Sequence, residues 1–73
     1  MGSIRKTVVE ILEANNGEVS LLALDRELKK RRALGFGVDT TYVVGTMMRE
    51  GKVRYDKETE VVYLIPPDIG SGI

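Results

Sequence analysis

The sequence predicts a small α+β domain in which three helices are followed by a two-stranded β-hairpin. Three segments repeat apolar residues at the three- and four-residue spacing of one helical face. Two short runs near the C-terminus alternate around a polar turn, which is typical of a hairpin. The chain has 73 residues, the size of one domain. We therefore expect a single domain over residues 1–73, ordered over about 3–66, with a flexible tail over 67–73.

The first predicted helix is the segment SIRKTVVEILEANNG. Ser3 is the expected N-cap, because its hydroxyl can accept a hydrogen bond from a free amide of the first turn. Gly17 is expected to take the left-handed conformation that ends many helices. The following EVS segment is expected to be extended, with Val19 forming a single-bridge strand. The apolar residues that share one face of this helix are Ile4, Val8, Ile11 and Leu12.

The second predicted helix is LLALDRELKKRR, with Ser20 as its N-cap. Positive charge at its C-terminal end stabilises a helix through the dipole. Four consecutive basic residues exceed that need, so a role in binding phosphate stays open. Phe36, in the ALGFGV loop that follows, is predicted to fill the core between helices. The apolar face carries Leu21, Leu24 and Leu28, and the basic cluster consists of Lys29, Lys30, Arg31 and Arg32.

The third predicted helix begins with Asp39 or Thr40 as its N-cap, runs to Glu50 and ends at Gly51. Its two sides differ in chemistry. The side predicted to face the core carries Val43, Val44, Met47 and Met48. The side predicted to face outward carries Thr41, Tyr42, Gly45, Thr46 and Arg49.

The predicted hairpin consists of KVRYD and EVVYLI, joined by KET. Val53 and Tyr55 share one face of the first strand, and Arg54 lies on the other. In the second strand, residues on the two faces alternate. One face carries Val61, Tyr63 and Ile65, and the other carries Val62 and Leu64. The two prolines at positions 66 and 67 are expected to end that strand.

This order of elements, with VVGTMMREGKVRYDKETEVVYLI at its end, resembles the winged-helix superfamily. That superfamily is a helix-turn-helix variant that carries a β-hairpin wing. The likeness covers about residues 3–65. The connection ALGFGV is longer than the turn of three or four residues in the tightest helix-turn-helix, but winged helices tolerate longer connections. The residues that carry the resemblance are Val44, Met47, Met48, Gly51 and Val53.

The resemblance implies a module that binds double-stranded DNA in transcription regulation or replication, with moderate-to-weak affinity as a monomer. The third helix would enter the major groove, with its outer residues Thr41, Tyr42, Thr46 and Arg49 near the bases. Residues 26–57 hold nine basic and four acidic residues, a net charge of +5 within a chain of net charge zero. The expected phosphate contacts are Lys52, Arg54 and Lys57 in the wing and Lys29, Lys30, Arg31 and Arg32.

A second interpretation is a winged-helix module that binds a protein partner in a larger assembly, or a second copy of itself. Tyr42 and Arg49 are residue types that commonly anchor protein interfaces. In this interpretation Val62 and Leu64 lie on the outer face of the hairpin. The edge of the hairpin would accept a strand from the partner.

Composition argues against several other classes. The chain has no histidine and no cysteine, so imidazole catalysis and thiolate metal sites are excluded. Asp56, Glu58 and Glu60 could hold a hard cation, but a solvated turn is the favoured interpretation. We therefore expect no enzyme activity, metal, cofactor or small-molecule substrate.

No apolar run approaches the ~20 residues that span a bilayer and no signal peptide is visible. The expected location is cytoplasmic, or nucleoid or nuclear with DNA.

Overall fold

The computed structural model describes residues 4–35 and 37–66. The elements follow one another as α1 (Ile4–Ala14), β1 (Glu18–Ser20), α2 (Leu21–Lys30), α3 (Thr40–Arg49), β2 (Val53–Asp56) and β3 (Val61–Leu64). This confirms the α+β class and the order of the elements. The predictions for Ser3, Phe36 and the tail over 67–73 concern positions outside the described residues.

The strands form one antiparallel sheet of three strands in the order β1-β3-β2. All three residues of β1 pair with β3, from Glu18 opposite Tyr63 to Ser20 opposite Val61. The strand is therefore longer than the single bridge expected at Val19. Backbone bonds extend the ladder at both ends of β1, because Leu64 N–H donates to Gly17 and Leu21 N–H donates to Glu60. Such a third strand helps stability, since an isolated two-stranded hairpin is marginal in water.

The hairpin of β2 and β3 pairs from Val53 opposite Leu64 to Asp56 opposite Val61. Its loop is one residue longer than the predicted KET, because Glu60 belongs to the turn and not to β3. Glu60 has a φ of 58°, and its N–H donates to the Asp56 carbonyl at 2.7 Å. The Asp56 carboxylate also accepts a bond from the Glu58 N–H at 2.9 Å, so local bonds define this turn.

The inner face of the sheet is opposite to the one that the partner-binding interpretation assumed. Val62 is fully buried and Leu64 packs against the core, so their placement on the outer face was wrong. The register explains this reversal. Val62 lies opposite Tyr55 and Leu64 lies opposite Val53, and residues directly opposite one another project to the same face. The core consists of Val8, Ile11, Leu12, Leu24, Leu28, Val43, Val44, Met47, Val53 and Val62.

One of the two methionines predicted to face the core does not. Met47 is fully buried, as predicted, but Met48 is 43% exposed. The buried face of α3 turns toward Thr40, which is buried and whose hydroxyl donates to the Asp25 carboxylate at 2.6 Å. A helix advances about 100° per residue, so a face shared by Thr40, Val43, Val44 and Met47 leaves Met48 at its margin. Asp39 takes the N-cap position without a side-chain capping bond.

All three helices end with the same backbone hydrogen-bond motif. An N–H reaches back to the carbonyl five residues earlier, from Gly17 to Leu12, Ala33 to Leu28 and Lys52 to Met47, at 2.7–2.9 Å. The residue before each donor is left-handed, as this motif requires. Those residues are Asn16, Arg32 and Gly51, with φ of 62°, 55° and 75°. Gly17 is also left-handed, as predicted, and α2 ends at Lys30, so Arg31 and Arg32 belong to the cap.

Candidate nucleic-acid interface

The outward face of α3 is the surface on which the sequence placed the base contacts. Tyr42 is 68% exposed, Thr41 and Arg49 are exposed, and Thr46 is half-buried. The Thr46 hydroxyl donates to the Tyr42 carbonyl at 3.0 Å, so its proton is used within the helix and its oxygen remains an acceptor. The structure thus brings the four predicted residues onto one side of α3. Met48, which the sequence assigned to the core, lies at the edge of this face.

Gly45 lies in the middle of the outward face. A Cβ atom built on it meets nothing within 4 Å, and its φ is not positive. Glycine in a helix interior is about 1 kcal/mol less favourable than alanine. Neither packing nor backbone conformation therefore requires glycine at this position.

Arg5 of α1 forms a two-pronged ion pair with Glu50 at the end of α3. Arg5 Nε lies 2.8 and 3.0 Å from the two carboxylate oxygens, and Nη2 lies 2.8 Å from Oε2. The pKa of Glu50 lies below its usual range, first because Arg5 donates these hydrogen bonds and then because of nearby positive charge. Because Glu50 is paired with Arg5, its negative charge neutralises the neighbouring Arg49 less than the sequence alone suggests. Sequence reasoning missed Arg5, because no local pattern connects residues 45 positions apart.

Arg49 itself extends from the last turn of α3 into solvent. Within residues 4–35 and 37–66, no carboxylate forms an ion pair with it. A guanidinium that is not already bound keeps its planar set of donors available for an external acceptor. Arg49 is therefore the side chain on this face best suited to a bidentate contact.

The basic cluster at the end of α2 is partly neutralised within the same helix. Lys29 Nζ lies 3.0 Å from the Asp25 carboxylate, and Arg31 Nε lies 3.1 Å from that of Glu27. Lys30 and Arg32 are exposed and have no such partner in the described part of the chain. Surface pairs of this kind are weak, but they lower the net charge that the cluster presents. Of the four predicted phosphate contacts, Lys30 and Arg32 are therefore better placed for that role than Lys29 and Arg31.

Asp25 also connects α2 to α3. Its carboxylate accepts the Thr40 hydroxyl at 2.6 Å and pairs with Lys29. The pKa of Asp25 lies below its usual range, first because of the Thr40 bond and then because of the Lys29 bond. This contact joins the two helices across the loop of nine residues that separates them. In a tighter helix-turn-helix the short turn fixes the start of the third helix. Here the bond between Thr40 and Asp25 fixes the start of α3.

The three basic residues of the hairpin have different surroundings. Lys52 follows α3 closely, since its N–H donates to the Met47 carbonyl. Arg54 lies on the solvent face of the sheet, in a row with Tyr63 and Glu18. Lys57 lies at the tip, where Asp56, Glu58 and Glu60 surround it in sequence. The base of the hairpin is thus positive beside α3, while its tip is acidic.

The described residues contain no group of three or more side chains arranged to hold a metal ion. The helices that the structure describes include none long and apolar enough to cross a bilayer. Comparison with protein-family models, with curated proteins and with solved structures finds no match. No relative therefore supplies a role for these side chains, and their own chemistry has to indicate one.

Proposed function

We propose that this chain is a winged-helix module that binds double-stranded DNA with α3 in the major groove. The observation that carries the proposal is the outward face of α3, where Arg49 is exposed while the neighbouring Glu50 is held by Arg5. An α-helix fits the width of the major groove, and arginine is the residue type that most often reads guanine there. The three-strand sheet, with β2 starting just after α3, supports the assignment of the hairpin as the wing.

Each side chain then has a distinct role. Arg49 donates to N7 and O6 of a guanine, and Thr41, Tyr42 and Thr46 contact neighbouring bases or the backbone. The exposed basic residues flanking α3 contact phosphates and set the position of the helix on the duplex. We call these residues the flanking cations: Lys30, Arg32, Lys52 and Arg54. Because Lys29 and Arg31 pair with carboxylates of α2, they contribute less.

Two observations favour a second candidate function, the binding of a protein partner. Tyr42, Met48 and Leu22 are large apolar side chains that are 68%, 43% and 63% exposed. Exposed aromatic and methionine side chains are typical of protein interfaces. The acidic hairpin tip would also repel a phosphate backbone. In this alternative α3 docks on a partner in a larger assembly rather than in a groove.

An amide-resolved NMR titration tests the proposal. A short random-sequence duplex is added at low salt, and the titration is repeated near physiological salt. We expect shifts confined to residues 41–49, to Lys52 and Arg54, and to the end of α2, with reversal by salt because phosphate contacts release counterions. The amides of the hairpin tip, residues 57–60, serve as internal controls that stay unshifted. An unchanged spectrum at low salt would contradict DNA binding and favour the protein partner.

A further inference from the structure

The position of Gly45 gives the outward face of α3 a shallow notch. On a helix surface, the neighbours of a residue lie three and four positions away. For Gly45 these are Thr41, Tyr42, Met48 and Arg49, and all four are exposed. Because glycine has no side chain, the backbone of α3 is uncovered between them. The notch is therefore open to solvent and ringed by four side chains.

The fold does not explain why glycine stands there. Gly51 has a φ of 75° and ends α3, so its backbone conformation favours glycine. Gly45 has no positive φ, and its missing Cβ would meet nothing within 4 Å. Alanine would make the helix more stable. A close approach to α3 from outside would give glycine a reason at this position that the fold does not supply.

We propose that the notch at Gly45 receives the 5-methyl group of a pyrimidine, which is thymine in ordinary DNA. This inference rests on the proposed function. Thymine is the base that displays a methyl group in the major groove. The residues three and four positions from Gly45 include apolar groups, namely the Thr41 methyl, the Tyr42 ring and the Met48 thioether, and no carboxylate. A methyl group fills the space that a side chain at position 45 would occupy.

The position of Arg49 then predicts where the methyl lies relative to guanine. Four residues of α-helix rise about 6 Å, whereas successive bases on one strand rise about 3.4 Å. A guanine bound by Arg49 therefore lies one or two base steps from the pyrimidine at Gly45. The recognised site contains a thymine and a guanine at that separation.

The test begins with selection of preferred duplexes from a random library by the whole chain. Binding of labelled duplexes is then measured by fluorescence anisotropy, with each thymine replaced in turn by deoxyuridine, which lacks only the methyl group. We expect one replacement, within two steps of an essential guanine, to weaken binding about fourfold, the effect of one buried methyl. Placing cytosine and then 5-methylcytosine at that position distinguishes the methyl from the rest of thymine. Binding should be about fourfold tighter for 5-methylcytosine.

The variant Gly45→Ala fills the notch from the protein side. We expect its melting temperature to rise by roughly 4–8 °C, while its binding to the thymine duplex weakens about tenfold. Replacement of the critical thymine by deoxyuridine should then change its binding little. Gly35→Ala is the matched control, because position 35 also has open space for a Cβ and no positive φ but lies outside α3. It should bind like the parent chain.

The outcomes separate the two proposals. If the parent chain selects no duplex, both the proposed function and the notch fall. If the parent chain selects a site but Gly45→Ala binds it equally well, or every deoxyuridine is tolerated, only the notch is overturned. If Gly45→Ala instead changes self-association measured by sedimentation and leaves DNA binding intact, a second copy of the chain occupies α3 and the methyl assignment is wrong.

Discussion

At the scale of single residues, two adjacent methionines on α3 provide a direct check of the helix phase. Met47 is fully buried and Met48 is 43% exposed. We expect Met47→Asp to unfold the domain, because an unpaired buried carboxylate costs more than the ~5 kcal/mol that stabilises a small domain. Val44→Asp should do the same, whereas Met48→Asp should fold. Circular dichroism melts report the difference, and a native spectrum for Met47→Asp would show that the phase is wrong.

Arg32 is a second residue with an individual prediction, because its φ of 55° suits glycine better than arginine. Arg32→Gly should raise the free energy of unfolding by about 0.5–1 kcal/mol. Lys30→Gly is the matched control: it removes the same charge two residues earlier, where the backbone is helical, and should lower that free energy by about 0.5–1 kcal/mol. Urea denaturation measures both. Destabilisation by Arg32→Gly would mean that its side chain makes a stabilising contact that outweighs the strain.

In the proposed DNA-binding function, base recognition depends on Arg49. Arg49→Ala should weaken binding to a selected duplex by about 1–3 kcal/mol, the discrimination of a bidentate guanine contact. Binding to random DNA should weaken less, since random sequence seldom presents the guanine. Anisotropy titrations with the two duplexes measure both losses. Equal losses on both would make Arg49 a phosphate contact.

At the scale of elements, the helices were predictable because each carries a local pattern. Apolar spacing and helix-ending residues located α1, α2 and α3 within a few positions. Pairings between distant segments were not predictable in this way. The ladder of β1 with β3 depends on residues 41 to 45 positions apart. The wrong assignments of Met48, Val62 and Leu64 have the same origin, because the packing of neighbouring elements selects the buried face.

The junction between α2 and α3 is an element-scale feature whose stability should depend on pH. Asp25 has a pKa lowered from 3.8, chiefly by the Thr40 hydroxyl. A lowered folded-state pKa stabilises the fold above the unfolded pKa, and this contribution is lost as pH falls through the folded value. Thr40→Val removes the bond while keeping the shape. Its melting temperature should lie below that of the parent chain by several degrees at pH 7.

The comparison across pH isolates that bond. The difference between the Thr40→Val and parent melting temperatures should shrink as pH falls below about 3.8, the ordinary pKa of aspartate. The Arg5–Glu50 pair also weakens in acid, since the pKa of Glu50 is lowered from 4.5, but it is present in both proteins. Its effect therefore cancels in the difference. A difference that stays constant from pH 7 to pH 2 would show that packing, not the carboxylate, makes Thr40 important.

At the scale of the whole molecule, charge pairing decides which basic residues remain available. The sequence counts a net charge of +5 over residues 26–57. The structure pairs Lys29 and Arg31 within α2 and brings Arg5 from α1 to Glu50. The candidate site was therefore predictable in its outward residues, which follow from helix phase. It was not predictable in its electrostatics, which depend on contacts between elements.

This pairing predicts how the proposed DNA binding should depend on salt. With the four flanking cations on phosphates, the slope of log Kobs against log salt should be about −3.6, since each contact contributes about −0.9. Arg54→Ala should make the slope shallower by about 1. Lys57→Ala should leave the slope unchanged, because its acidic neighbours at the hairpin tip keep the backbone away. Anisotropy titrations over a range of salt concentrations measure these slopes. An equal change from Lys57→Ala would show that the hairpin tip contacts DNA despite its carboxylates.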